Sequence, residues 1–515
     1  MTHRSWLRFL WIARVAMATA AFAFMASTTM PLAASDPEVA SVVVSKTNQN
    51  RSADLSKELA LDECLSMAME NNHRRPASRF AVAVAEAQHR QALAAYWPQV
   101  NLKGLYHHRD EAPNFLFPTT SIPVPGGTAV ITVPPGVLGP RAVQLPVSIP
   151  SQTIDTPEQD IRLADPDSFL MSLNASWLLY DGGMRKGLRE QTQGWLDVVK
   201  QDARRTDLEI VDSVKRFYFG AILARQLHRV GQDTLARMEA TLSLTEMMYK
   251  EGSGRVKKTD YLDNKVMVET LRSTVALLEK NREMAQAALA NAMGLSWKTK
   301  VNPLDREVPF APYAGNLEDI VGTAYRFSPD WVKVEAAIRA AEGAIKTARS
   351  GHFPKLAVTG DLHKWWNDYD AGMATDQNKE GWSVGVGIEI PIFSGFLTRN
   401  KVTAARSRLS KITQEQFLLK EGIGLQIKDI FLGLDAARKS HQATLDAMLA
   451  AQDNRDLHTR AYQNELVETD KVIRAQLIEA LMSAQHYKTR YDHVALKSRL
   501  NLVVGTEVLK KLQTK

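Results

Sequence analysis

The chain has 515 residues, 45% of them hydrophobic, so it is long enough for a large structure and too apolar for general disorder. Its formal net charge of +7 includes the arginines of a basic leader, and elsewhere basic residues interleave with acids along helical stretches; that is the pattern of solvated faces, without a nucleic-acid signature. Cys64 is the only cysteine, which excludes an intramolecular disulfide and a cysteine-rich metal site.

Residues 1–34 read as a secretory signal peptide. Arg4, Arg8 and Arg14 lie in or beside its basic region, Val15 to Met25 is apolar, and small residues cluster at Ala33-Ala34-Ser35. The alternative is an N-terminal membrane anchor, for which the apolar stretch is short. The lack of a cysteine near the cleavage region gives no support to lipidation there. Residues 35–54 form a polar leader.

A first structural repeat is expected over residues 55–301. Leu55 to Tyr96 reads as helix, rich in Ala, Gln and Glu, and Pro98 ends it. Val100, Leu102, Gly104 and Tyr106 then alternate with Asn101, Lys103, Leu105 and His107, the period of a strand. Residues 109–166 hold about half of the chain's 21 prolines and have little to bury, which predicts a long exposed loop, with room for a small edge hairpin. Phe169, Met171, Leu173, Ala175, Trp177 and Leu179 restore the alternation, closing a β-hairpin over 98–181. A helical hairpin over 184–295 follows: Met184 to Lys250 is one helix, roughly 100 Å long at 1.5 Å per residue, Gly252-Ser253-Gly254 breaks it, and Lys257 to Gly294 returns.

Residues 302–316 are a proline-bearing linker, and the pattern repeats over 317–515. Leu317 to Arg349 matches the opening helix. The second β-hairpin, 354–393, sets Leu356, Val358, Gly360 and Leu362 in phase, turns through Asn367-Asp368-Tyr369-Asp370, and returns with Trp382, Val384, Val386, Ile388, Ile390 and Ile392 on one face. A helical hairpin over 397–512 closes the chain, with Leu397 to Gln463 as its long arm and Val467 to Leu512 as its return. Helices this long must pack side by side.

No segment beyond the signal reaches 18 consecutive apolar residues, so any membrane crossing must be by strands. Four strands cannot close a barrel, and an open edge in lipid leaves backbone groups unsatisfied, so the chain either oligomerises through its strands or does not cross. Asn101, Lys103, Ser172, Asn174, Thr359, Gly385, Gly387 and Glu389 on the second face suit a wet interior. Tyr96, Trp97, Trp177, Tyr180, Phe353 and Phe393 lie at the strand ends next to the helices. Tyr106, Phe169, Trp365, Trp366 and Trp382 lie at the loop ends. Two such bands match the two interfaces of a bilayer. The competing reading, the core of a soluble sandwich, leaves two very long helices hanging from its strands.

The motifs have the order and duplication of a known family. The helix-to-strand corners are Trp97-Pro98-Gln99-Val100 and Phe353-Pro354-Lys355-Leu356. The strand-to-helix corners are Tyr180-Asp181-Gly182-Gly183 and Phe393-Ser394-Gly395. Tyr249-Lys250-Glu251-Gly252 is followed by Thr259-Asp260-Tyr261-Leu262-Asp263, and the repeats close with Ala292-Met293-Gly294 and Val503-Val504-Gly505. Over residues 55 to 512 the chain resembles the TolC family of outer-membrane efflux proteins. The resemblance implies an α+β membrane protein built from a duplicated helix, strand, strand and long helical hairpin. Four strands per chain would complete a twelve-stranded barrel in a homotrimer, set in outer-membrane lipid above a periplasmic helical barrel. It also implies a periplasmic adaptor protein and an inner-membrane pump, either an RND or an ABC transporter.

The family closes its periplasmic end where the helical hairpins turn, here Tyr249 to Asp263 and Tyr462 to Arg474. Thr259 and Asp260 match the family's gate threonine and aspartate, Asp263 lies on the same helical face, and Tyr462 matches its gate tyrosine. The two acids of the family's constriction ring fall at Lys471 and Arg474, and its basic residue falls near Val467. Three copies would then line the tip with positive charge; a one-residue shift places Asp470 there, and ordinary solvated charges are the plain alternative. Gly182 and Gly395, with Trp97, Pro98, Phe353 and Pro354, mark the strand–helix corners.

No catalytic constellation, cofactor site or metal site emerges: His107, His108 and His363 are scattered at strand ends, and no nucleotide-binding or metalloprotease motif occurs. Energy for transport would come from a partner. Two readings stand: a passive exit duct for drug efflux or type I secretion, and a coiled-coil scaffold or adhesin with residues 109–166 as its binding element.

Overall fold

The computed structural model describes residues 58–111, 114–162, 166–252, 256–366 and 380–506. The signal peptide, the polar leader, Ser253-Gly254, the Asn367–Asp370 turn and residues 507–512 of the expected last helix lie outside them.

In chain order the elements are β1 (Glu58–Leu59), α1 (Leu61–Asn71), α2 (Arg74–Ala94), β2 (Gln99–His108), β3 (Asn114–Phe117), β4 (Thr120–Val124), β5 (Gly127–Val133), β6 (Val143–Ile149), β7 (Gln152–Thr156), β8 (Gln159–Arg162) and β9 (Asp167–Tyr180). They continue as α3 (Met184–Lys250), α4 (Lys258–Ala292), β10 (Asn302–Pro303), α5 (Leu317–Phe327), α6 (Pro329–Arg349), β11 (Lys355–Trp366), β12 (Glu380–Glu389), α7 (Leu397–Gln463) and α8 (Thr469–Val504). None of these helices is long and apolar enough to cross a membrane.

Local chemistry sets the boundaries. The helix expected over 55–96 is two helices with a short strand before them. Asn72 divides them: its side-chain amide donates to Ala292 O (2.9 Å) and its side-chain oxygen accepts from Arg74 N (3.0 Å), drawing the chain out of one helix and starting the next. The helix expected over 317–349 is also two, because Pro329 forces Ser328 out of helical geometry and then opens α6 from its first position. The strand expected to reach Ile392 stops at Glu389, which pairs with Lys355 next to the Pro354 corner, and Pro391 cannot extend the ladder. The linker is not free: β10 pairs in parallel with β1, and the Tyr218 hydroxyl donates to Leu59 O (3.2 Å) or Asp305 Oδ2 (2.9 Å).

The long helices α3 and α7, 67 residues each, form hairpins with α4 and α8. The repeats interlock, since α3 of the first packs against α6 and α8 of the second. At the α3–α6 crossing the backbones nearly touch. A Cβ added to Gly187 would lie 2.5 Å from Thr347 N, and one added to Gly343 would lie 2.4 Å from Gln191 N. Elsewhere, near the start of α6, Ile320 and Ala324 of α5 bury against Ile423, Ile427, Ile430 and Leu434 of α7 and Leu500 and Val504 of α8.

The strands expected from the alternation form one antiparallel sheet, ordered β12-β11-β9-β2. Residues 109–166 are largely not a loop. They rise from β2 and β9 as paired strands, β3 with β8, β4 with β7 and β5 with β6. A two-stranded ribbon buries almost nothing, so composition alone leaves it indistinguishable from a loop.

Candidate functional site

The sheet register sorts its side chains by rung. Leu102, Leu173, Leu362 and Trp382 stand side by side, as do Val100, Ala175, Gly360 and Val384; Trp177, Val358 and Val386 continue the same face. Between them on the opposite face run Asn101, Asn174, Asp361 and Ser383, then Gln99, Ser176, Thr359 and Gly385. One face is therefore mainly apolar across all four strands, although its rung Gly104, Met171, Lys364 and Glu380 holds the Lys364–Glu380 ion pair (2.9 Å), and the other is mainly polar, with Leu105, Leu170 and Trp365 as an apolar rung.

The apolar face is open to its surroundings in the single chain: Val384, Val386 and Ile388 are each at least 65% exposed. The band ends at one side in the aromatic rung Tyr106, Phe169 and Trp366, and at the other in the corner residues Trp97, Tyr180, Phe353 and Phe393. From Leu356 to Trp366 a strand covers about 33 Å, or roughly 25 Å at the tilt of a barrel strand. Among the described residues both outer strands, β2 and β12, have a free backbone edge in the single chain.

The corners fasten the sheet to the helices. Gly182 sits at φ +67, where a Cβ would lie 2.5 Å from the Cβ of Phe353, so one repeat's corner rests directly on the other's. Asp181 accepts from Gly183 N (3.0 Å) and Arg185 N (2.8 Å), capping α3, and the buried Arg185 guanidinium returns to Asp181 (2.8 Å) and Leu179 O (3.0 Å). In the second repeat Gly395 has φ +59, and Phe396 stands at φ +64 in the place of Gly183.

At the far end of the helices a cleft of about 1060 Å³ opens between α4 and α8. It gathers Asp260, Asp263, Tyr462, Asp470, Lys471 and Arg474 over an apolar floor that includes Val266, Met267, Leu477 and Leu481. Lys471 and Arg474 are exposed, and Arg474 lies 4.0 Å from Asp470. Tyr249 lies apart and stacks on Tyr261, centroids 6.1 Å apart.

The residues matched to a gate do not act as one network within the chain. The Asp260 carboxylate accepts from Lys257 N (2.9 Å) and from the Thr259 hydroxyl (3.2 Å), so both residues serve the start of α4. Tyr462 is buried and shares hydrogen bonds with Thr245 (2.7 Å) and Thr469 (3.0 Å). Thr245 gives its one proton to Thr241 O (2.7 Å) and accepts from Asn264 (3.2 Å). Tyr462 must therefore donate to Thr245, and Thr469 to Tyr462.

Further along the same seam Gln476 donates to Thr241 (3.0 Å), and Arg237 pairs with the buried Glu479 (2.7 Å). Sequence reasoning missed Thr241, Thr245, Asn264, Thr469, Gln476 and Glu479. A signal was present: Thr234, Thr241 and Thr245 recur at seven and four residues, one face of a helix. Among the described residues no group of three histidines, cysteines or acids is placed to hold a metal ion.

A family model described as "Outer membrane efflux protein" matches residues 143–295 and 321–504. Protein CyaE of Bordetella pertussis is 25% identical over 283 residues, covering 54% of this chain and 58% of that protein. Outer membrane efflux protein BepC of Brucella suis is 22% identical over 344 residues, covering 64% and 71%. Cation efflux system protein CusC of Escherichia coli is 27% identical over 255 residues, covering 48% and 52%. The alignments thus span little more than half the length of CyaE and CusC. A solved structure of CusC superposes with a TM-score of 0.66 at 18% identity, over 87% of this chain and 92% of that one, a likeness of fold.

Proposed function

Because the chain belongs to the outer membrane efflux protein family, we propose that it is the passive exit duct of a tripartite efflux or type I secretion system, set in the outer membrane and reaching into the periplasm. The observation that carries this reading is the four-stranded sheet, mainly apolar on one face and mainly polar on the other, with β2 and β12 unpaired at its two edges among the described residues. In lipid an open edge costs several kcal/mol for each unpaired backbone group. Three copies, joined β12 to β2, remove every edge and make a twelve-stranded barrel with a wet interior. The helical hairpins then continue the wall into the periplasm. Cargo, small molecules or unfolded protein, would be delivered by an inner-membrane RND or ABC transporter through an adaptor seated at the helical tips, and that pump would supply the energy.

Planar-bilayer conductance of the detergent-purified protein, with its oligomer mass measured on the same sample, tests the duct. A trimer giving small, resolvable channels supports it. A water-soluble, elongated protein without conductance overturns it in favour of a scaffold. At the tip, Lys471 and Arg474 would line the constriction with positive charge and disfavour cations. Reversing both (Lys471→Asp with Arg474→Asp) should shift single-channel selectivity toward cations, and an unchanged reversal potential would sink the basic ring while leaving the duct intact.

A further inference from the structure

The strands between Asn114 and Arg162 are one device. Asn114 pairs with Arg162, Thr120 with Thr156, Gly127 with Ile149 and Val133 with Val143, so the register is the same across all three ladders. They form a single antiparallel ribbon, about 65 Å long at some 3.3 Å per residue. Its two interruptions fall where Pro118 and Pro157, and then Pro125 and Pro150, remove ladder donors from both strands together. Pro123 and Pro146, within the ladders, further deprive its edges of donors, which blunts pairing to another strand edge.

The outer third of the ribbon has two unlike faces. Ala129, Ile131, Val133, Val143, Leu145 and Val147 share one face through cross-strand pairs, and on the other Thr128, Thr132, Gln144 and Ser148 flank the single apolar pair Val130–Pro146. The apolar face stands in the open, with Ile131 54% and Leu145 41% exposed, although a two-stranded ribbon has no interior to hide it. The face carries no charge, and Arg141 is the only cation between Gly127 and Ile149. It therefore has nothing with which to recognise an anionic lipid headgroup or a charged partner surface. A flat face of β-branched and leucine side chains is instead complementary to itself.

We propose that this face docks on the same face of neighbouring copies of the chain, so that the ribbons gather above the barrel mouth. The proposal rests on the oligomeric reading above. Ribbons rooted in one rim meet at an effective concentration on the order of millimolar, enough for a modest apolar face to associate.

The test uses the full-length protein in detergent, with one cysteine introduced at a time. Cys64 does not interfere: it is buried, and burial pushes its thiol up to about 12. Under mild oxidation Ile131→Cys should give covalently linked pairs of chains as the major species, at trimer mass. Thr132→Cys, on the opposite face, should give at least fivefold less. A trimer in which position 131 cross-links no better than position 132 overturns this proposal alone. So does protection of the Ile131→Cys thiol from a water-soluble maleimide only in lipopolysaccharide vesicles, which would make lipid the partner. A monomer by mass overturns the oligomeric reading together with it.

Discussion

Tyr462 holds its phenol oxygen between two threonines, giving a proton to one and taking a proton from the other. Tyr462→Phe keeps the ring among Met238, Val268, Val472 and Ile473 but leaves two buried hydroxyls each short of a partner. The expected loss is about 1–2 kcal/mol, seen as faster amide hydrogen exchange in α7 and α8 near the tip, with the sheet unaffected. Asp260→Asn should leave that exchange unchanged; acceleration equal to that of Tyr462→Phe would contradict the separation of the two groups. At the α3–α6 crossing, Gly343→Ala should cost about 1–3 kcal/mol, because the added methyl meets backbone on the facing helix. Gly422→Ala, with open space around it, should gain up to about 1 kcal/mol in thermal unfolding. The sequence pointed to Tyr462 and Asp260 through motif order. It could not pair them correctly, because a hydroxyl's partner depends on which face of a neighbouring helix arrives, and helix rotation is not written in local spacing.

Beyond β10 the linker has no regular structure and is held by its side chains. Phe310 stacks on His441, centroids 3.8 Å apart, and lies 4.5 Å from His493. His486 lies near by, its Nδ1 3.4 Å from the Thr444 hydroxyl. Neither ring nitrogen of His493 has a hydrogen-bond partner among the described residues. Burial lowers the pKa of all three histidines, and the positive charge of Arg490 (for His441 and His486) or Lys497 (for His493) adds to it; Glu307, paired with Arg490, opposes this at His486. A histidine whose folded pKa is depressed takes up its proton more readily unfolded, so its stabilisation is complete above the unfolded value of about 6.5 and declines as pH falls below it. The thermal midpoint should therefore fall between about pH 7.5 and pH 5.5, and His493→Leu should flatten that slope. An identical slope in the variant would remove the cluster as its source. Element types and the ends of α3 and α7 were legible from glycines, prolines and period. The divisions at Asn72 and Ser328 were not read, the first because it depends on a contact 220 residues away. The outer ribbon was hidden because its register, not its composition, defines it.

At the scale of the whole molecule the sheet's two faces demand different surroundings. Val384→Arg, in the middle of the apolar band, should cost about 2–4 kcal/mol in a bilayer and sharply reduce membrane-assembled oligomer. Thr359→Lys, on the polar face, should assemble normally; equal loss in both would argue against a lipid-facing band. That each repeat would contribute a two-stranded hairpin was readable from its alternation, whereas the pairing of β9 with β11 and the crossing of α3 with α6 and α8 were not, because tertiary pairing of long helices leaves only small residues as its mark. The order β12-β11-β9-β2 also has a consequence in time. β9 must wait for β11, which begins about 175 residues later in the chain, and at roughly 10 residues per second that is on the order of 20 s of synthesis. A chain ending before Lys355 should therefore hold only the two-stranded β2–β9 hairpin, with the β9 edge that β11 would cover left unpaired, too little sheet to be stable alone.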